Sequence, residues 1–179
     1  MPESISGAAI TKFFRDGFEH TAWRLETRRA YGVAAESPRL RAFLAGDADH
    51  GRAPTSEWLD VIRELVRQRK RVERVRLVDE PATDYQRFLL NNAPDNIEAG
   101  ENIRYLTRRD AERAELPMED FWLFDSRVIG RFRFDGDRSL GMHLSEDPAA
   151  VLKGCQIRDV AWHFAVPYAD FHTRPSTRE

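Results

Sequence analysis

The spacing of apolar residues changes period along this chain, and each change marks an element. Residues 6–18 place Ala9, Ile10, Phe13, Phe14 and Phe18 on one helical face, and Gly17 weakens the end of that helix. Residues 21–28 switch to alternation. Trp23 and Leu25 point one way and Arg24 and Glu26 the other, which predicts a half-buried strand. A short helix follows over 36–45, opened by Ser37-Pro38 and stopped by Gly46. The polar stretch 47–52 is the expected flexible joint. Pro54-Thr55-Ser56 then opens the clearest helix, with Trp58, Leu59, Val61, Ile62, Leu65 and Val66 in one stripe.

The second half alternates helices and strands more tightly. A strand over 72–78 ends before Pro81. Thr83 or Asp84 caps a helix with an apolar face of Tyr85, Phe88 and Leu89, and Pro94, which lacks an N–H, is expected to close it. A strand over 101–106 and a helix from Thr107 to Ala114 follow. Residues 119–144 hold the densest aromatic and β-branched run, read as adjacent strands with Asp135-Gly136-Asp137 as a turn. Ser145 is the expected cap of the last helix, with Pro148 in its first turn. This order predicts an α/β fold: a single mixed sheet flanked by helices, antiparallel toward its end. Residues 1–50 form an N-terminal helix–strand–helix extension packing on the main domain, 51–172 the α/β core domain, and 173–179 a disordered tail.

Composition narrows the function classes. Lys and Arg total 28 against 30 acidic residues, a net charge of −2, which argues against a nucleic-acid-coating protein. The local basic excess is Arg63, Arg67, Arg69, Lys70, Arg71, Arg74 and Arg76, read as the solvated face of a helix and strand entry. No aromatic residues interleave with it, as a single-strand binder would require. The single cysteine, Cys155, excludes an intrachain disulfide. The five histidines show no metal-ligand spacing, and no glycine-rich phosphate motif is present, so neither metal nor cofactor is expected. No stretch approaches the roughly 20 apolar residues of a membrane span. The expectation is a soluble cytoplasmic protein.

Candidate chemistry lies in two places. On a helical wheel, the last helix puts Ala150, Ile157, Val160, Ala161 and Phe164 on a core side, with Gly154 allowing close approach. Leu152, Cys155, Asp159, Trp162 and His163 fall on the other side. Asp159 and His163 are spaced to pair, but Cys155 and His163 are about 12 Å apart along the axis and cannot form a thiol–imidazole couple. This face is read as a second packing surface. Arg24 and Glu26, two apart on one strand face, are read first as a charge-matched pair able to reach Arg131 or Arg133 across the sheet, and second as an anion or polar-ligand site.

Five segments carry a resemblance: HTAWRLETRRAYGV (20–33), RVERVRLVDEPATDYQRFLL (71–90), EAGENIRYL (98–106), DFWLFDSRVIGRFRFD (120–135) and RDVAWHFAVPYADF (158–171). Together they resemble an uncharacterised actinobacterial domain-of-unknown-function family whose members occur near helix-turn-helix regulators. More distantly, the chain is similar to phospholipase D-like domains, with a strand–helix–strand, a hairpin bending at Asp125, and a helix bearing Trp162 and Ala165. The catalytic form of that fold carries His-x-Lys followed four residues later by Asp. Ahead of Asp125 this chain reads Phe121-Trp122-Leu123, which can neither attack nor protonate a phosphodiester. The resemblance therefore implies a phospholipase D-like half without its catalysis.

The expected function is a non-enzymatic regulatory or interaction module in a transcription-regulatory setting. It would bind a small ligand or a protein partner such as a helix-turn-helix regulator. The cleft would be lined by Arg24, Glu26, Asp79, Tyr85, Asp125 and Arg131, with Asp159, Trp162 and His163 as further contact residues. The alternative is a phosphodiesterase-like hydrolase using Asp125 or the Asp159–His163 pair.

Overall fold

A computed structural model describes residues 3–32, 37–47, 49 and 56–172. The expected tail at 173–179, and most of the expected joint at 47–52, lie outside the described residues. In chain order the elements are β1 (Glu3–Ile5), α1 (Ala8–Asp16), β2 (Thr21–Glu26), α2 (Ser37–Leu44), α3 (Glu57–Arg67), β3 (Arg71–Val78), α4 (Asp84–Ala99), β4 (Asn102–Thr107), α5 (Arg108–Arg113), β5 (Phe121–Phe124), β6 (Val128–Asp135), β7 (Arg138–Ser145), α6 (Pro148–Phe164), β8 (Val166–Pro167) and α7 (Tyr168–His172).

The strands form one mixed sheet in the order β1-β7-β6-β5-β2-β3-β4-β8. Strands β2, β3 and β4 run parallel at its centre, and β5, β6 and β7 form an antiparallel meander beside them. This is the mixed, helix-flanked sheet that the element order implied. The strand of the N-terminal helix–strand–helix segment lies inside the sheet, between β5 and β3, so the sheet is incomplete without it.

Helices cover both faces. On one, Trp23, Leu25, Val75, Leu77, Leu106, Phe121, Leu123 and Ile129 pack against Ala111 of α5 and Val151, Ile157 and Ala161 of α6. On the other, Ala22, Val72, Trp122, Phe124, Met142 and Leu144 pack against Phe14, Phe18, Leu59, Ile62 and Leu65 from α1 and its end and from α3. Beside that second cluster, Val78, Ile103 and Tyr105 meet Ala93 of α4 and the rings of Tyr168 and Phe171. A central parallel strand is therefore buried on both faces, and every second position of β2 and β3 must be accommodated inside.

The structure corrects the element boundaries at three points. Helix α4 continues through Pro94 to Ala99 and ends at Gly100, whose left-handed backbone (φ 108°) closes it. The missing N–H and ring clash of a mid-helix proline cost about 3 kcal/mol, and the buried Ala93, Asp95 and Ala99 beyond it tie the last turns to the sheet. The cap of α6 is Asp147, whose carboxylate accepts from the Ala150 N–H at 2.8 Å, while Ser145 accepts from the Asp147 N–H. The core side of α6 is turned from the expected one. Val151, Gly154, Ile157 and Ala161 face the sheet, and Leu152, Val160 and Phe164 are exposed. The edge strands β1 and β8 and helix α7 carry too few residues for a periodic signal and were not expected from sequence.

Candidate functional site

The carboxyl ends of β2, β3 and β4 lie side by side, the position at which open α/β sheets present ligand-contacting groups. On the α3/α4 face, register pairs Arg24 with Arg74 and Glu26 with Arg76, and Arg76 in turn with Tyr105. These polar side chains occupy positions that apolar residues fill elsewhere in the sheet. Arg74, Arg76, Glu26, Glu101 and Asp120 are all less than a tenth exposed.

Buried charges persist only when paired, because removing each ion from water costs several kcal/mol. Here the pairing is dense. Glu26 accepts from Arg74 NH1 at 2.6 Å and from Arg76 Nε, and lies 3.2 Å from Arg24 NH1. Arg74 also donates to Glu101, which is held on its other oxygen by Asn96 at 2.8 Å. Arg24 reaches Asp120 at 3.3 Å. Asp120 further accepts from the Thr27 N–H and hydroxyl, both at 2.8 Å, and from the Tyr31 hydroxyl. Three guanidiniums thus face three carboxylates. Aromatic rings wall the network: the Arg24 guanidinium lies 4.8 Å from the Phe132 centroid, and Arg74 lies 5.6 Å from that of Trp122.

Burial by itself would raise the pKa of Glu26, and the guanidiniums of Arg24, Arg74 and Arg76 outweigh it and hold the carboxyl well below the usual range. Burial, the Glu26 charge and the Asp120 hydrogen bond push the Tyr31 phenol up against the opposing pull of Arg24. Burial also raises Tyr105, opposed by Arg76.

A second constellation sits just beyond, at Asp79. It accepts from Arg29 on both oxygens (3.0 and 3.1 Å), from Arg108 Nε (2.8 Å) and from Gln86 Nε2 (2.8 Å). Burial would raise its pKa, and these hydrogen bonds bring it down to about 2. Arg108 also donates to the Thr27 carbonyl at 2.7 Å, so the ends of β2, β3 and β4 are cross-linked by polar contacts. The chain after β2 runs over this region. Arg28 donates to the Gly136 carbonyl and to Asp137, and stacks 4.2 Å from the Phe134 centroid. At this end lies a small, partly open cavity of about 10 Å³ lined by Glu26, Arg28, Tyr31, Arg76, Gln86 and Tyr105 with Leu77, Val78 and Leu89.

The expected site residues divide. Arg24, Glu26, Asp79 and Tyr85 gather at this end, Tyr85 lying 6.1 Å from Tyr31 between ring centroids. Asp125 is at the opposite end of β2. Its carboxylate accepts the backbone N–H groups of Glu19, His20 and Thr21 at 2.6, 2.8 and 2.7 Å. Partial burial raises its pKa and these donors lower it further, to a net value below the usual one. Asp125 therefore anchors the start of β2 to the hairpin. Arg131 pairs in register with Phe121 and lies on the other face of the sheet, where it meets Glu119 at 2.9 Å. It cannot reach Arg24 or Glu26 across the sheet, as the strand pattern had suggested. On α6, Asp159 bonds Arg158 at 2.9 Å, and the exposed His163 ring lies against Phe164. Trp162 packs on the core under the Arg104 guanidinium, 4.1 Å from its centroid, and its carbonyl accepts from that same arginine. No contact joins these three to Asp125 or to the network. Among the described residues, no cluster of three or more His, Cys, Asp or Glu side chains is placed to hold a metal ion. No helix among them is long and apolar enough to cross a membrane.

Arg74, Arg76, Glu101, Asp120, Tyr31 and Arg108 were missed from sequence. Arg74 and Arg76 fell inside the basic run read as solvated, yet they are core residues. The signal was present: a parallel central strand buried on both faces leaves no solvated side for alternate arginines. The Phe121-Trp122-Leu123 run set against the His-x-Lys motif belongs to the buried strand β5.

Comparisons with known proteins fit this architecture. The family described as "Domain of unknown function (DUF6879)" matches residues 8–173. A solved structure, a phospholipase D family member, Nuc, from Salmonella typhimurium, superposes with a TM-score of 0.56 at 8% identity, covering 94% of this chain and 99% of that one. At that identity the likeness is one of fold. No curated protein matches the chain.

Proposed function

We propose that this chain, which belongs to the DUF6879 family, is a non-catalytic binding module that presents the cleft at the carboxyl ends of β2, β3 and β4 to its ligand or partner. One observation carries the reading. Each carboxylate there is committed to arginine, to a backbone or side-chain amide N–H or to a hydroxyl: Glu26 to Arg24, Arg74 and Arg76, Asp120 to Arg24, Thr27 and Tyr31, and Asp79 to Arg29, Arg108 and Gln86. A general base works with a lone pair free to take a proton near neutral pH. Glu26 and Asp79 are driven the other way by their neighbours. Phe121, Trp122 and Leu123, set by the resemblance to phospholipase D-like domains against that fold's histidine and lysine, offer neither nucleophile nor acid.

The partner follows from the resemblance to domains found near helix-turn-helix regulators: such a regulator would dock over the cleft, and the bound state would set its activity. Turnover of bis(p-nitrophenyl) phosphate tests the first part. The protein is expected to give no more than the buffer rate. A rate above it that disappears in Asp120→Asn would overturn the non-catalytic reading. Co-elution with a helix-turn-helix regulator tests the second part, and separate elution at micromolar concentrations would count against that partner.

A further inference from the structure

We infer that the cleft is a receptor for a single carboxylate group, inserted between Arg76, Tyr105 and Arg28. The inference rests on the binding-module reading and names the chemistry that this cleft would take.

Three observations converge. First, the polar acceptors lining the cavity are already occupied. Both Glu26 oxygens are held by arginines, Gln86 Oε1 accepts from the N–H groups of Asp79 and Thr83, and the Tyr31 hydroxyl is bound to Asp120. Second, two lining groups are left over. The Tyr105 hydroxyl, on a residue 1% exposed, lies beside the Arg76 guanidinium, which can only donate to it, so its own proton has no acceptor among the described residues, and the buried Arg28 Nε has no hydrogen-bond partner among them. An unsatisfied buried polar group is costly, and native proteins rarely keep one without a ligand or water to meet it. Both leftovers can donate. Third, the charge is right. The buried network balances itself, so Arg28 adds a cation to the lining, and its acidic partner Asp137 stands at the exposed rim. An acceptor carrying one negative charge meets all three conditions.

Size selects the kind of anion. The cavity of about 10 Å³ holds roughly one water-sized group, room for a single carboxylate oxygen and too little for the several terminal oxygens of a tetrahedral phosphate. The cavity is open to solvent at its mouth, where whatever the carboxylate is attached to would lie. The head has two possible sources, a free small acid or the C-terminus of a peptide.

Titration calorimetry at constant ionic strength separates the possibilities, with acetate, N-acetylglycine, N-acetylglycinamide and inorganic phosphate as probes. N-acetylglycine is expected to bind and its amide not to. Acetate binding as well as N-acetylglycine points to a free acid, and acetate binding much more weakly points to a peptide terminus. Tyr105→Phe keeps the ring and removes the hydroxyl. It is expected to weaken N-acetylglycine about tenfold, the loss of one hydrogen bond to a charged group, while the unliganded protein melts at the same temperature or higher. Arg28→Gln, on the surface loop, is expected to weaken it at least as much. Absence of carboxylate binding, phosphate binding as tightly as carboxylate, or equal affinity in Tyr105→Phe would each overturn the inference. So would a clear loss of melting temperature in unliganded Tyr105→Phe, which would show that its hydroxyl already has a structural partner. None of these results bears on phosphodiester turnover, so the non-catalytic reading stands or falls separately.

Discussion

Replacing Glu26 with glutamine is the sharpest test of the buried network. The substitution is nearly isosteric and removes one charge. Glu26 is 5% exposed and faces Arg24, Arg74 and Arg76. With it neutral, three buried guanidiniums share the two remaining carboxylates, Glu101 and Asp120, and Arg76 loses the anion that it bonds. Removing one partner of a buried ion pair costs about 3–5 kcal/mol, because the charge left behind is uncompensated. Against a total stability of about 5–15 kcal/mol for a domain, this is a large fraction. In a chain of this size each kcal/mol shifts the melting temperature by about 2–4 °C, so a fall of roughly 6–20 °C is expected. Calorimetry and urea denaturation measure it, and Arg76→Gln with the double variant completes a cycle. Coupling of about 0.5–3 kcal/mol between the two positions is expected for groups in direct contact. A loss below about 1 kcal/mol, or strict additivity, would refute the reasoning, since solvent would then be screening the pair.

Three further outcomes follow from the same geometry. The carboxyl of Asp79 is lowered to about 2 in the fold, so it contributes stability above its unfolded pKa near 4, and that contribution disappears as pH falls from about 4 toward 2. Asp79→Asn should flatten the urea midpoint across that window by an amount worth about 1–2 kcal/mol after solvent screening, and an unchanged pH profile would contradict the pairing. Asp125→Ala should cost about 1–3 kcal/mol and speed amide exchange at Glu19, His20 and Thr21, leaving affinity at the distant cleft unchanged. On α6, Ile157→Ala should destabilise by about 2–5 kcal/mol and Val160→Gln by no more than about 0.5, measured by urea denaturation. The reverse ranking would mean that the helix is rotated from the described orientation.

How far the sequence discloses this molecule depends on whether a residue's role is set by its own period or by what lies across from it. The parallel strands and their covering helices were legible because Trp23, Leu25, Val75 and Leu77 repeat at strand spacing, and Leu59, Ile62 and Leu65 at helix spacing. The rotation of α6 was not, because apolar residues surround that helix: Leu152, Val160 and Phe164 on the solvent side match Val151, Ile157 and Ala161 on the core side in hydrophobicity. Only the sheet it rests on decides. The polar site shows the same divide. Arg24 and Glu26 could be picked out as a pair on one strand face, since that needs only alternation. Their partners Arg74, Glu101 and Asp120 stand 48 or more positions from Glu26, and only the register of three neighbouring strands brings them together. Asp125 misled for the converse reason. An aspartate at a hairpin bend has the same local sequence whether it serves chemistry or caps a strand, and the three N–H groups that assign it belong to residues more than 100 positions earlier. A buried arginine is the stronger clue. At Arg74 and Arg76, a strand with no solvated face leaves a guanidinium no alternative to a buried carboxylate, so the strand's position in the sheet implies the existence of acids elsewhere in the chain before any is located.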